Sequence, residues 1–240
     1  MEETKLTFKR YEKKYLLSRE QYEKLFRELQ DHIVPDAYHR STVCSIYYDT
    51  DDYELIRRSI EAPVYKEKLR LRSYNVPDEN GTVFIELKKK FKGMVYKRRV
   101  AMGAKAAMDY LAGRATAPER SQMTKEIDWF LSQNAVKPKV FIACDRSAWV
   151  DRDNSELRIT FDENLRWRTE DLDLTHGSRG ENLLEEGSVL MEIKIPGTTP
   201  LWLAHLLSDQ TLFPSSFSKY GTCYKNHILS EYFNGVIVCV

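Results

Sequence analysis

The chain has no CxxC pair, no glycine-rich loop, no long apolar run and almost no net charge, and each absence removes a class of function. Its four cysteines, Cys44, Cys144, Cys223 and Cys239, lie far apart, so neither a zinc site nor a disulfide framework is signalled, and a reducing, cytoplasmic compartment is expected. Only ten glycines occur in 240 residues, with neither GxxxxGK[ST] nor GxGxxG among them. Walker-type nucleotidases and typical protein kinases are thereby excluded, and any phosphate must be held by side chains. No stretch reaches the roughly 20 apolar residues of a membrane span. The closing run Val236–Val240 reads as a packed tail or last strand, and Met1–Lys9 is charged and lacks the apolar segment of a signal peptide. Lys plus Arg is 37 against 36 Asp plus Glu, a net charge of +1, so any attraction for anions must come from local arrangement.

Period-two alternation dominates what is present. Strands are expected over Leu6–Leu16, Cys44–Tyr48, Lys66–Tyr74, Val83–Lys89, Val95–Met102, Val140–Val150, Leu157–Leu165 and Ser188–Ile195. Asp78-Glu79-Asn80-Gly81 and Phe91-Lys92-Gly93 are hairpin turns between them. Ser18 with Gln21 three residues on is a capping box that opens a helix to about Leu29. Thr50 is expected to cap a second helix across Tyr53–Ile60. Further amphipathic stretches cover Ala104–Leu111, Thr124–Leu131, Pro200–Asp209 and Cys223–Phe233. Antiparallel strands surrounded by helices, with no linker or shift in composition, predict a single α+β domain over residues 1–240.

The charges fall on chosen strand faces. Side chains alternate along a strand, so Lys66, Lys68, Arg70 and Arg72 share one face while Leu69 and Leu71 share the other. Glu86 and Lys88 oppose Ile85 and Leu87. Lys97 and Arg99 share a face, as do Arg158, Thr160 and Asp162, and Glu192 and Lys194 alternate with Met191, Ile193 and Ile195. On a single strand such a pattern is an ordinary solvated face. On adjacent strands, basic rows side by side repel and need either an anion or open solvent. A closed barrel with its apolar face outward under helices would turn these charges inward. The aromatic residues do not interleave with the basic rows as base-stacking platforms would, Tyr74 and Tyr96 apart, and nucleic acid is not an expected partner.

Seven segments in order carry a family resemblance: Phe8–Tyr15, Ser45–Thr50, Arg70–Tyr74, Phe84–Lys88, Asp145–Trp149, Leu190–Lys194 and Phe217–Tyr220. Together they resemble the catalytic polyphosphate-polymerase domain of the vacuolar transporter chaperone (VTC) complex, within the triphosphate tunnel metalloenzyme superfamily. The resemblance spans roughly Phe8 to Leu229. It implies an antiparallel β-barrel or tunnel of about eight strands with surrounding helices, lined by Lys and Arg. Lys14, Arg70, Arg72, Lys88, Arg146 and Lys219 match the family's catalytic phosphate-binding positions. Lys68, Lys97, Arg99, Arg158, Lys194, Ser218 and Tyr74 are further expected phosphate contacts. Glu192 matches the family's metal-binding glutamate, whose oxygen suits Mg²⁺ or Mn²⁺. Glu12 and Glu86 are either further metal contacts or charge partners of neighbouring bases.

The activity implied is transfer of the γ-phosphate of ATP onto inorganic polyphosphate, with pyrophosphate and polyphosphate as ligands. Hydrolysis of a triphosphate or nucleotide in the same site, and polyphosphate binding without catalysis, are the alternatives. Hydrolytic and cyclase members of the superfamily open with ExExK, whereas this chain reads Arg10-x-Glu12-x-Lys14, a departure that favours the polymerase branch. The family's inositol-phosphate-sensing domain and membrane segment have no counterpart in these 240 residues, although a membrane partner is compatible with the reading. The five histidines are scattered and are read as surface or structural.

Overall fold

The structure is a computed structural model, described for residues 10–92 and 94–230. Strand β1 (Arg10–Leu17) leads into helix α1 (Arg19–Leu29), followed by β2 (Ile33–Asp49), α2 (Glu54–Ile60), β3 (Tyr65–Tyr74), β4 (Thr82–Phe91) and β5 (Met94–Gly103). Two helices, α3 (Ala104–Leu111) and α4 (Gln122–Gln133), precede β6 (Lys137–Asp151), β7 (Arg158–Arg168), the two-residue β8 (Glu181–Asn182) and β9 (Val189–Pro196). Helices α5 (Leu201–Asp209) and α6 (Lys219–Cys223) follow, the last running on into a π-helical turn over Tyr224–Ile228. The hydrogen-bonded strand order is β1-β9-β7-β6-β2-β3-β4-β5, with β8 on β7, and every registered ladder is antiparallel. This is the α+β class the sequence predicts. The order begins at β1 and ends at β5, and the described ladders do not close it into a barrel. Among the described residues no helix is long and apolar enough to cross a membrane.

The chain forms two compact units. The first takes residues through Ser41, Cys144–Leu165 and Leu184–Phe217. The second takes Thr42–Ala143, Arg166–Leu183 and the residues from Ser218 on. Each has its own core. In the first, the apolar faces of β1, β7 and β9 (Tyr15, Ile159, Phe161, Met191, Ile193) pack with Leu25 and Leu29 of α1 and Leu203 and Leu206 of α5. In the second, Ile46, Leu69, Leu71, Ile85 and Leu87 pack with Ala107 of α3 and with Ile127 and Phe130 of α4. In both, burial of the apolar alternation leaves the opposite, charged face of the strands for other work.

The predicted helices and strands reappear with altered limits. The Ser18 capping box is present in both directions. A second box, Ser121 with Thr124, opens α4 two residues before the expected start. The α2 cap differs from the expectation. Thr50 Oγ1 accepts from Glu54 N at 2.8 Å, but the buried Asp49 carboxylate accepts from Leu55 N at 2.9 Å and Ile56 N at 3.0 Å. The first turn is thus held chiefly from the end of β2. Strand β2 begins eleven residues earlier than Cys44, because ladder pairing overrides Pro35 and the polar first half. The last helix begins at Lys219, not Cys223, since Ser218 caps it by accepting from Gly221 N at 3.2 Å. A Cβ on Gly221 would lie 3.2 Å from the Ser218 Cβ, so glycine permits that close cap. The expected start of β1 at Leu6, the turn residue Gly93, the helix end at Phe233, Cys239 and the Val236–Val240 tail lie outside the described residues.

Candidate functional site

The second unit gathers most of the expected bases on one sheet face. Antiparallel register sets Tyr47 opposite Arg70, Arg70 opposite Glu86, and Glu86 opposite Arg99. One step along, Lys68 faces Lys88 and Lys88 faces Lys97, three lysines abreast on three strands. Glu86 is the acid of this face and is 1% exposed. Arg70 Nε donates to Glu86 Oε2 at 2.6 Å, and Arg70 Nη2 lies 2.6 Å from the same oxygen. Arg72 Nε is 4.0 Å away. The other oxygen, Oε1, accepts no hydrogen bond of good geometry and is held by charge, with Lys97 Nζ at 2.6 Å and Arg99 Nε at 3.5 Å. Burial alone would raise the carboxyl's pKa, but Arg70, Arg72 and Lys97 outweigh it and hold it down to about 2.

Further groups extend this cluster. Arg72 Nε donates to Ser45 Oγ at 3.1 Å. Arg99 stacks on Phe84 at 3.5 Å and lies 5.5 Å from the Tyr74 ring. Lys68 Nζ donates to Ser218 Oγ at 3.3 Å, which brings a β3 base to the N-terminus of α6. Tyr220, two residues later, donates from its hydroxyl to Asp49 Oδ2 at 2.9 Å and stacks on Tyr47 at 4.8 Å. Tyr47 in turn accepts from Arg70 Nη1 at 3.5 Å. Burial pushes the Tyr47 phenol up, yet Arg70, Arg72 and Lys219 bring it below its ordinary pKa. Burial raises the Asp49 carboxyl and the Tyr220 phenol, the latter further because it faces Asp49.

The first unit holds a different set. Lys14 faces Glu192, and Glu12 faces Lys194, which faces Arg158 on β7. Lys14 Nζ lies 3.5 Å from Glu12 Oε1 and 3.7 Å from Glu192 Oε1, and donates to Phe217 O at 3.1 Å. Arg146 grips Asp162 with two parallel hydrogen bonds, Nε to Oδ1 and Nη2 to Oδ2, each 2.6 Å. Its Nη2 is also 3.9 Å from Glu192 Oε2. Desolvation works against the Arg146 guanidinium, but Asp162 and Glu192 overcome it and keep it firmly protonated. Burial depresses the Lys194 ammonium despite Glu12 and Glu192. Arg158 is drawn to Asp36 in an ion pair.

The expected bases therefore form two neighbourhoods, one in each unit. Four participants were not assigned by sequence reasoning: Tyr47, Asp49 and Tyr220 in the second unit and Asp162 in the first. The signal was present for most of them. Ile46 and Tyr48 are core residues, so alternation puts Ser45, Tyr47 and Asp49 on the charged face. Asp162 shares the face of Arg158 and Thr160.

The acids can be tested as cation holders. Glu86 is enclosed by bases and fits the charge-partner alternative. Both oxygens of Asp162 are engaged by Arg146. Glu12 and Glu192, on neighbouring strands and joined through Lys14, offer hard oxygen donors. Among the described residues no group of three or more acidic, histidine or cysteine side chains is assembled for a metal. Two carboxylates fit Mg²⁺ or Mn²⁺ when water and substrate phosphate complete the shell, the usual habit of such ions.

A VTC domain model matches residues 9–228. No curated protein sequence matches the chain. Among solved structures, a candidate adenylate cyclase from Bacillus halodurans is 15% identical with a TM-score of 0.54, covering 86% of this chain and 92% of its own. A candidate adenylate cyclase from Vibrio parahaemolyticus is 13% identical (TM-score 0.46, 90% and 97% covered). A protein from Pyrococcus horikoshii OT3 is 12% identical (TM-score 0.45, 90% and 100% covered). At these identities the first match speaks for the fold alone.

Proposed function

The chain belongs to the VTC domain family, and from that premise we propose that it is a triphosphate-tunnel enzyme, a polyphosphate polymerase. It transfers the γ-phosphoryl group of ATP to the terminal phosphate of an inorganic polyphosphate chain. The observation that carries this reading is the excess of positive charge on β3–β5. Three lysines stand abreast beside a row in which one buried carboxylate is shared by Arg70, Arg72, Lys97 and Arg99. Like charges opposite one another in a sheet are unfavourable, and a multiply charged anion relieves them.

In the reaction, an oxygen of the acceptor's terminal phosphate bonds to the γ-phosphorus. The bond from that phosphorus to the β–γ bridging oxygen breaks, and ADP leaves with the electron pair. The acceptor is already ionised at neutral pH, so no general base is needed, in keeping with a cluster built of arginine and lysine. Arg70, Arg72, Lys68, Lys88 and Lys97 hold phosphate oxygens, with Ser218, Lys219 and Tyr74 at the margins. Lys14 and Arg146, with Lys194 and Arg158, do the same in the first unit. Fixed cations aimed at non-bridging oxygens neutralise charge on the transferred group without reorganising during transfer. A divalent cation held by Glu192 and Glu12 would supply further neutralisation of phosphate charge. Part of the proposal is a reducing, cytoplasmic setting, where cysteines as widely spaced as these stay as thiols.

The test is product analysis. Protein is incubated with γ-labelled ATP and Mn²⁺, with and without a short polyphosphate primer, and products are resolved by size. A ladder of lengthening chains, lost in Glu192→Gln, is expected. Free phosphate as the sole product would replace the polymerase by a hydrolase, and absence of turnover with tight polyphosphate binding would leave a binding module.

A further inference from the structure

The far end of the β3–β4–β5 meander carries side chains that neither the core nor the phosphate cluster uses. Beyond the lysine row, register sets Tyr65 opposite Phe91 and Phe91 opposite Met94, and sets Lys66 opposite Lys90 and Lys90 opposite Val95. Val64, Tyr65, Phe91, Met94, Val95 and Tyr96 are between 39% and 63% exposed. Isolated exposed apolar side chains need no explanation, but Tyr65, Phe91, Met94 and Tyr96 share one face at this sheet end, with Val95 on the other face and Val64 just before β3, and such a group marks an interaction surface. The patch is organised. Tyr65 and Phe91 meet edge to face with centroids 6.5 Å apart, and the Tyr96 hydroxyl reaches Met94 Sδ at 3.9 Å.

The acids near the patch, Glu67 and Glu126, are each paired with bases, and the charge left over at the hairpin end is basic. Lys66 and Lys90 stand on the other face beside Val95, and Lys92 follows Phe91 at the turn. Lys92 lies 5.4 Å from the Phe91 ring, and neither Lys90 nor Lys92 makes an ion pair among the described residues. The nearby acid, Glu67, is engaged by the Tyr65 hydroxyl at 2.5 Å and by Lys89 at 3.7 Å. A hairpin end with aromatic and long apolar side chains on one face and lysines on the other and at the turn suits a bilayer interface, where the rings enter the headgroup boundary and the ammonium groups stay among anionic phosphates. A second copy of this chain fits less well. A two-fold interface would bring these lysines against their own counterparts, and like charges desolvated together are costly.

We propose that the β4–β5 hairpin end, Phe91, Met94, Val95 and Tyr96 with Lys90 and Lys92, docks the protein on an anionic lipid surface. Docking combines two weak signals, shallow apolar insertion and lysine–headgroup attraction, neither of which suffices alone. It is independent of which phosphate reaction the enzyme performs.

The test is flotation of the full chain with vesicles of phosphatidylcholine alone and of equimolar phosphatidylcholine and phosphatidylglycerol. Partition into the mixed vesicles, weakening with salt, is expected, with little on phosphatidylcholine. Phe91→Ser with Met94→Ser should lower that partition at least about tenfold. Lys90→Gln with Lys92→Gln should lower it about fivefold per lysine. Because these side chains lie outside the core, all variants should keep the wild-type near-ultraviolet circular dichroism and unfolding midpoint. Equal partition into both compositions, no partition into either, or undiminished partition of the Ser variant would overturn the proposal. So would a concentration-dependent dimer, seen by sedimentation, that the Ser variant dissolves.

Discussion

The two units use the same strand alphabet, alternating apolar and charged residues, to build opposite electrostatic environments. Around Glu192 the charges interleave: Lys14 faces Glu192, Glu12 faces Lys194, and Arg146 closes on Asp162. The neighbourhood nearly neutralises itself. Around Glu86 they do not. Arg70, Arg72, Lys97 and Arg99 share one buried carboxylate, and Lys68 and Lys88 extend the surplus. A balanced set can accept a cation at its carboxylates. An unbalanced set is completed by an anion. The local sequence motif, Glu-x-Lys, is the same at Glu86 and Glu192. What differs is the neighbour strand that each glutamate meets.

The sharpest way to break this comparison is to remove the two acids in turn. Glu86→Gln leaves four cations around a buried neutral group and should cost about 3–5 kcal/mol in urea unfolding. Added pyrophosphate should restore part of the loss by binding the folded state. Glu192→Gln, whose cations keep Asp162 and Glu12, should cost nearer to about 1 kcal/mol. Equal costs would mean that the surplus at Glu86 is screened by solvent and that the distinction between the units is empty.

Acid titration gives a smaller effect with a defined sign. The Glu86 carboxyl is held at about 2 in the fold against an ordinary value of 4.5. Its contribution is therefore fully present above 4.5 and is lost as pH falls through about 2. At about 1.4 kcal/mol for each tenfold change in proton affinity, ionisation of Glu86 contributes roughly 3 kcal/mol. Wild type should destabilise across that window more steeply than Glu86→Gln, so the gap between them narrows toward low pH. A constant gap would show that Glu86 is not the ionised hub of its cluster.

The smallest effect is expected at the rim. Lys97 is nearly half exposed although 2.6 Å from Glu86. Lys97→Met should change the unfolding free energy by no more than about 0.5 kcal/mol. Pyrophosphate affinity should nonetheless fall several-fold and depend less on salt. Unchanged affinity would place this end of the lysine row outside the anion site.

Much of this was legible along the chain. The face assignments on β3, β4, β5, β7 and β9 follow from alternation alone, and Leu69, Leu71, Ile85 and Leu87 are fully buried opposite their charged neighbours. The Ser18 capping box is as local as it looked. Illegible were the features that need a second segment. Strand β2 starts before Pro35 because of ladder pairing, α2 is capped from Asp49, and α6 begins at Lys219 because Gly221 allows the Ser218 cap to close.

By itself, then, the sequence determined which side chains share a strand face, which strand runs are basic, and which phosphate-binding motifs are missing. These are properties of a period of two and of composition, and they require no knowledge of neighbours. Only tertiary structure decided that Glu86 serves Arg70, Lys97 and Arg99, that Asp162 engages Arg146, and that Tyr220 is tied to Asp49. Ion pairs and hydrogen bonds act over a few ångströms in space. Strand register and core packing, not distance along the chain, decide which groups come within that range.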